Sequence, residues 1–281
     1  MSLLQPQSAL GSYVKASLIS RLKRQTVALY DLPVEFWRRV LDEEMHFHLG
    51  HFPNSSTTFE ESMALAVQRL ASGLPFTKSS RCRVLDIGCG WGGPAFQLNR
   101  LWTADVLGIT VSQVQTDYVN SRTKLSGASV AAKTLDSDDF DFQGIGTFDL
   151  IWMYDSLDHM ANRGRLFEKL HNASSGETQL AIATHCRSSD SAMELFSEFM
   201  GIQPIVTMGR IEAMLEGTGW EVFKLEDCTY LTAPVWRYWI NNLASLGNFP
   251  EAERFSRALS QTEDLYSKGM LQSIQLLARV K

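Results

Sequence analysis

Residues 83–93, RVLDIGCGWGG, run an apolar stretch directly into closely spaced glycines. This is the pattern of a strand ending in a tight turn. Glycine tolerates the left-handed backbone such a turn needs and leaves no Cβ between backbone N–H groups and a ligand. Further β-type runs occur at 104–110, 148–154, 178–186, 220–228 and 272–280, the first being 82–88. Between most of them lie stretches with helical spacing, at 93–102, 112–125, 161–172 and 208–217. Strands alternating with helices predict an α/β fold with a doubly wound, mainly parallel sheet that takes ligands at the carboxyl ends of its strands. Upstream, 17–43 and 57–73 read as helices, the second opened by Thr57 and Thr58 followed by Glu60 and Glu61 in the manner of a capping box. That helical start and the aromatic-rich segment 229–268 stand outside the repeat and are candidate lids.

The glycine turn implies a nucleotide-like cofactor. Gly88, Gly90 and Gly93 formally match GxGxxG, which keeps a nicotinamide dehydrogenase open as a competing reading. That reading also requires an acid about 20 residues on, to hold the adenosine ribose. The corresponding stretch here is GITVSQVQ, without an acid, and Asp86 instead stands two residues before the first glycine. Composition removes other classes. With 281 residues and 44% hydrophobic content the chain can bury a sizeable core as one large domain or two small ones. A net charge of -5 without a sustained basic block argues against nucleic acid. The absence of a membrane-length apolar run, and an N-terminus lacking the order of a signal peptide, predict a cytoplasmic protein without integral membrane association. Cys82, Cys89, Cys186 and Cys228 form no CxxC pair and are expected to be reduced and buried. Half of the six histidines, His46, His48 and His51, crowd into MHFHLGHF. Neither a cysteine nor a carboxylate cluster accompanies them, so no metal is expected.

VLDIGCGWGGPAFQL followed by ADVLGITVSQVQ resembles the class I S-adenosylmethionine-dependent methyltransferases, in the branch of the cyclopropane fatty acid synthases and the tocopherol, alkaloid and terpenoid methyltransferases. The resemblance continues in YDLPVEFW and LDEEMHFHLGHF, in FDLIWMYDSLDHM, and in the C-terminal EDCTYLTAPVW and YSKGMLQSIQLLARVK. It implies a Rossmann-like, mostly parallel sheet of seven strands. Residues 1–75 would form a helical cap, and 76–281 the cofactor-binding core, with 187–210 and 229–268 as substrate-cap segments, the latter inserted before the last strand. S-adenosylmethionine is the implied cofactor. Asp86, Gly88, Cys89, Gly90 and Gly92 match its methionyl and ribose motif. Thr110 and Gln115 match the Thr and Gln that replace the ribose acid in this branch, and Val111 between them is a further candidate for cofactor contact. Asp136, Ser137 and Asp138 in LDSDDF match the adenine-side loop, covered by Leu135, against the simpler reading of a solvated acidic turn.

A sulfonium already activates its methyl group, so the protein must chiefly align a nucleophile and exclude water. FDLIWMYDSLDHM brings Trp152, Tyr154, Asp158 and His159 to the end of a central strand. Asp158 and His159 match a Glu-His pair of the cyclopropane synthases, where the acid helps hold bicarbonate. The shorter Asp puts fatty-chain cyclopropanation in doubt. His185 sits at another strand end, as a base or as a hydrogen-bonded structural residue. Trp236, Tyr238 and Trp239 read either as helix packing or as an apolar lid, and Met193 to Met200 as helix packing or the lining of a pocket. The resemblance makes Phe47 and His48 neighbours of the methyl-transfer site. These residues together predict methyl transfer to nitrogen, or to carbon, of a hydrophobic small-molecule metabolite of alkaloid, indole or isoprenoid type. Lipid-chain modification and a non-catalytic cofactor-binding scaffold stay as alternatives, and homodimerisation stays open.

Overall fold

The computed structural model describes residues 7–79, 81–189, 199–247 and 249–281, with side chains from residue 16 onward. Seven strands, β1 (Arg83–Ile87), β2 (Asp105–Thr110), β3 (Val130–Thr134), β4 (Leu150–Tyr154), β5 (Gln179–Arg187), β6 (Trp220–Asp227) and β7 (Leu271–Val280), form one sheet in the order β3-β2-β1-β4-β5-β7-β6. All pairings from β3 through to β5 are parallel, while β7 runs antiparallel to both neighbours. The Rossmann-like fold anticipated from the sequence is therefore present. The one strand absent from the β-type runs is β3. Its sequence, VAAKT, has alanines where a strand signal wants branched or aromatic residues, and as an edge strand it pairs on one side only.

The remaining helices are α1 (Gln7–Tyr30), α2 (Val34–Val40), α3 (Phe59–Ala71), α4 (Gly93–Trp102), α5 (Gln113–Ser126), α6 (Arg163–Asn172), α7 (Met208–Gly217), α8 (Val235–Ala244) and α9 (Pro250–Ser267). The predicted helix 17–43 is in fact two, because Pro33 removes an N–H and disfavours helical backbone at Leu32. Thr58 opens α3 with a full capping box, its hydroxyl accepting the Glu61 N–H while the Glu61 carboxylate accepts the Thr58 N–H. Thr58→Ala should cost about 1 kcal/mol of stability, read from the urea midpoint, with cofactor affinity unchanged.

Two apolar layers pack on the faces of the sheet. A third cluster joins the beginning of the chain to the stretch before β7: Phe36 and Trp37 of α2 and Met63 of α3 meet Trp236 and Trp239 of α8 and Phe255 of α9. Trp37 is its centre, with Phe47, Trp91 and Phe255 rings all within 5.9 Å of its own. The roof so formed lies beside the carboxyl ends of β1 and β4, since Trp91 belongs to the glycine turn. Residues 190–198, and with them most of the Met193–Met200 stretch, lie outside the described residues. All four cysteines are buried and unpaired. Among the described residues no helix is long and apolar enough to cross a membrane.

Candidate active site

After β1 the chain turns through Gly88 and Gly90, both with left-handed backbone (φ +78° and +53°). A side chain at Gly88 would collide with Ser156, whereas one at Gly90 would meet only Gln115 Nε2 at 3.9 Å, so Gly90 leaves the backbone open. It opens onto a cavity of about 320 Å³. Asp86, Gly88, Cys89 and Gly90 line one part, Thr110, Val111 and Gln115 a second, and Leu135, Asp136, Ser137 and Asp138 a third. Gly92 is the exception among the residues assigned to the cofactor. It caps α4, faces Val119 and Phe96, and does not line the cavity, so backbone geometry rather than ligand contact accounts for it.

Three features give the cavity its chemistry. Asp86 is buried with Oδ2 unpartnered, and burial pushes its carboxyl up to about 7. Thr110 donates its hydroxyl proton to Gln115 Oε1 at 2.6 Å, which leaves the Gln115 amide N–H groups as donors. The loop 135–139 is held by Lys169, whose ammonium donates to the carbonyls of Ser137, Asp138 and Phe140. The Asp138 carboxylate accepts from the Ala161 and Asn162 N–H groups, and Lys23 of α1 bridges Asp136 and Asp138 at 2.8 and 3.1 Å. That loop is held by these bonds and tied to α1, with Ser137 buried and Asp139 left facing solvent.

A second cavity, about 80 Å³, adjoins the first. Tyr30, Phe47, His48, Asp155 and His159 line both. Asp158, His185, Trp236 and Trp239 line the second only, with apolar walls from Ile202, Ile205, Leu259 and Leu265. Tyr154 reaches the first cavity from the end of β4, its ring 4.4 Å from that of His48. Trp152 is a correction. It lies two residues further back on the same face of β4, fully buried in the core, and lines neither cavity. Side chains of one strand face share a direction but not a depth, and two residues are about 6.6 Å of strand.

The histidines divide by their partners. His46 is bonded to Asp42 at 2.7 Å with its ring against Gly93, and His51 lies away from both cavities, held down to about 4 by burial and the positive charge of Arg69. His48 Nδ1 donates to the Leu49 carbonyl at 3.1 Å, which leaves Nε2 as a lone-pair acceptor, buried and unpartnered. Burial, then the neighbouring His46 and His51, keep His48 well below the ordinary imidazole value. His159 has both nitrogens engaged, Nε2 by the Tyr30 hydroxyl at 3.0 Å and Nδ1 by Thr26 Oγ1 at 3.4 Å. Asp158 accepts from the Thr184 hydroxyl and the His185 N–H.

Two residues at this junction escaped the sequence reading. Tyr30 comes from the last turn of α1, directly before the Asp31-Leu32-Pro33 break, where no local pattern marks a site residue. Asp155 sits between two positions that drew attention, in left-handed backbone (φ +47°) that turns its carboxylate into the junction. Oδ2 accepts the Leu49 N–H at 2.8 Å, Oδ1 is buried without a partner, and burial raises its carboxyl above the ordinary value.

A family model described as mycolic acid cyclopropane synthetase matches residues 19–254. The chain belongs to that family. This cyclopropane synthetase homologue is 26% identical over 215 residues, 74% of its own length and 77% of the relative's, to 27-O-demethylrifamycin SV methyltransferase of Amycolatopsis mediterranei. Its fold matches a cyclopropane synthase of Mycobacterium tuberculosis with a TM-score of 0.81, at 19% identity over 92% of this chain and 98% of that one. Coclaurine N-methyltransferase bound to N-methylheliamine and S-adenosylhomocysteine superposes with a TM-score of 0.77, at 17% identity over 98% and 90%. The homologue is an S-adenosylmethionine-dependent methyltransferase of this branch, and S-adenosylmethionine is its cofactor. Its larger cavity fits that molecule. The unpartnered carboxylate of Asp86 suits a cationic amine, the open backbone at Gly90 leaves room for a chain, and the free amide of Gln115 suits hydroxyls.

Proposed function

We propose that the enzyme methylates the nitrogen of a hydrophobic, basic small molecule, a specialised metabolite of alkaloid or indole type. One observation carries this reading. The smaller cavity is bordered by two buried carboxylates, Asp155 with an unpartnered oxygen and Asp158, and no Lys or Arg lines it among the described residues. An ammonium group would satisfy that oxygen, whereas a phosphate or carboxylate would set like charge against two acids. The aromatic rings of Tyr30, Phe47, Trp236 and Trp239 on the same wall favour, as a second reading, an isoprenoid alkene carbon, because their faces stabilise a developing cation.

Bound S-adenosylmethionine supplies a methyl already activated on positive sulfur. Within this reading Asp86, Cys89 and Gly90 hold the methionyl end, Thr110, Val111 and Gln115 the ribose, and Asp136, Ser137 and Asp138 the adenine. The described parts of residues 1–75, 187–210 and 229–268 act as a cap over the core and exclude water. Asp155 anchors the ammonium and Asp158 adds negative charge beside it. His48 offers its Nε2 lone pair to an N–H of the acceptor, and His159, with both nitrogens occupied, fixes Tyr30 across the junction. His48→Ala should lower kcat roughly tenfold, the loss of about one hydrogen bond, and leave S-adenosylhomocysteine affinity within a few-fold by calorimetry. Equal loss of both would reduce His48 to packing.

The function is tested by measuring demethylated cofactor over a panel of secondary amines, phenols, prenyl diphosphates and phospholipids. Turnover is expected with amines. Turnover of prenyl diphosphates or phospholipids alone would overturn the reading.

A further inference from the structure

A hydrogen-bonded chain leaves the wall of the smaller cavity. His185, near the end of β5, is bonded through Nδ1 to the hydroxyl of Tyr266 on α9, and that hydroxyl also reaches the Gln272 carbonyl of β7 at 3.3 Å. Burial, with Asp155 and Asp158 nearby, pushes the Tyr266 phenol well above its ordinary value, so it keeps its single proton. Only one arrangement uses both contacts. The phenol donates to the Gln272 carbonyl, and its oxygen accepts from a protonated Nδ1. Reversing it, with the phenol proton on Nδ1, abandons the Gln272 contact. Nε2, which has no partner among the described residues, is then the unprotonated nitrogen left for the cavity that His185 lines.

We infer that Tyr266 is a positioning residue that locks His185 in the Nδ1–H tautomer, and that His185 Nε2 is the base that takes the proton an ammonium acceptor must lose. The inference rests on the nitrogen-acceptor reading above. An N–H bond of the acceptor breaks, its electron pair stays on nitrogen, and the proton goes to His185. The methyl then bonds to that pair as its bond to sulfur breaks with the electrons left on sulfur, giving the thioether. The imidazolium formed has counter-charges at hand: Asp158 Oδ2 accepts the His185 backbone N–H at 3.3 Å, and Asp155 lies within electrostatic reach of the ring. The other two histidines of the cavity serve less well as proton acceptors. His159 has no free nitrogen, and His48 is kept neutral by burial and two neighbouring imidazoles.

The lock is read directly from long-range proton-nitrogen NMR correlations of the histidine-labelled protein near neutral pH, with His185 assigned as the signal missing from His185→Gln. Wild type should show protonated Nδ1 and unprotonated Nε2, and Tyr266→Phe should lose this pure tautomer. An Nε2–H tautomer in wild type overturns the inference. With an amine that turns over, His185→Gln should reduce kcat about a hundredfold or more and Tyr266→Phe about tenfold, with S-adenosylhomocysteine affinity within a few-fold for both. A His185→Gln kcat within twofold of wild type overturns the role as base even if the tautomer is locked. A locked tautomer in an enzyme that methylates only phenols or alkenes would instead fail the nitrogen reading and leave the lock standing.

Discussion

Replacing Asp155 with Asn should lower kcat/KM for an amine acceptor by about 100- to 1,000-fold, roughly 3–4 kcal/mol of lost transition-state stabilisation. Asn keeps the shape and still accepts the Leu49 N–H, so the loop 45–52 stays docked against β4. What it removes is the negative charge at an oxygen that has no other partner among the described residues. A cationic acceptor then enters a buried site with only Asp158 to compensate it, and Asp158 already accepts from Thr184 and His185. The loss should fall on the acceptor, because the anchors proposed for the cofactor lie at Asp86, Thr110, Gln115 and the loop 135–139. Steady-state kinetics with the amine, alongside calorimetry with S-adenosylhomocysteine, separate the two. A kcat/KM within threefold of wild type would remove Asp155 from acceptor recognition.

The affinity for S-adenosylhomocysteine should rise with pH and level off above about 7, changing about tenfold for each unit below that point. Asp86 is the cause. Its carboxyl is raised from 3.8 to about 7 by burial, so below that pH it is mostly protonated until a cationic partner binds. A cationic amine prefers the carboxylate, so binding there must release a proton and weakens as pH falls. The sign for folding is opposite. Between about 4 and 7 the unfolded chain has shed this proton while the folded chain keeps it, so the contribution of Asp86 to stability declines as pH rises through that window. Asp86→Asn should flatten the pH dependence and weaken binding at pH 8. Calorimetry across pH 6 to 8 in buffers of different ionisation enthalpy counts the proton released. A flat affinity in wild type would assign the ammonium to another partner.

Where the sequence carried local rules it was informative. The capping box at Thr58 and Glu61 is as its pattern reads, and the glycine turn follows β1 because only such residues fit its backbone. The helix 17–43 was misjudged because periodicity on both sides of Pro33 outweighed a single proline. β3 escaped because an edge strand can be built from alanines. Trp152 and Gly92 show a different limit. Each belongs to the right segment, and neither is at the depth or angle from which a ligand is touched.

The chain's order of apolar runs and glycines was enough for a doubly wound α/β fold, because period and turn chemistry are properties of neighbouring residues, and the methyltransferase reading came from the resemblance its motifs carry. The proposed acceptor site belongs to the other kind of information. It draws Tyr30 from α1, His48 from the loop before α3, Asp155 from the end of β4, His185 from β5 and Trp236 from α8, brought to one place by the packing of α2 against α8 and α9. Spacing alone did not separate the histidines of MHFHLGHF, and only the resemblance singled out His48. Their partners separated them, a carboxylate for His46, a carbonyl for His48 and a buried site beside Arg69 for His51, and only His48 was left facing both cavities.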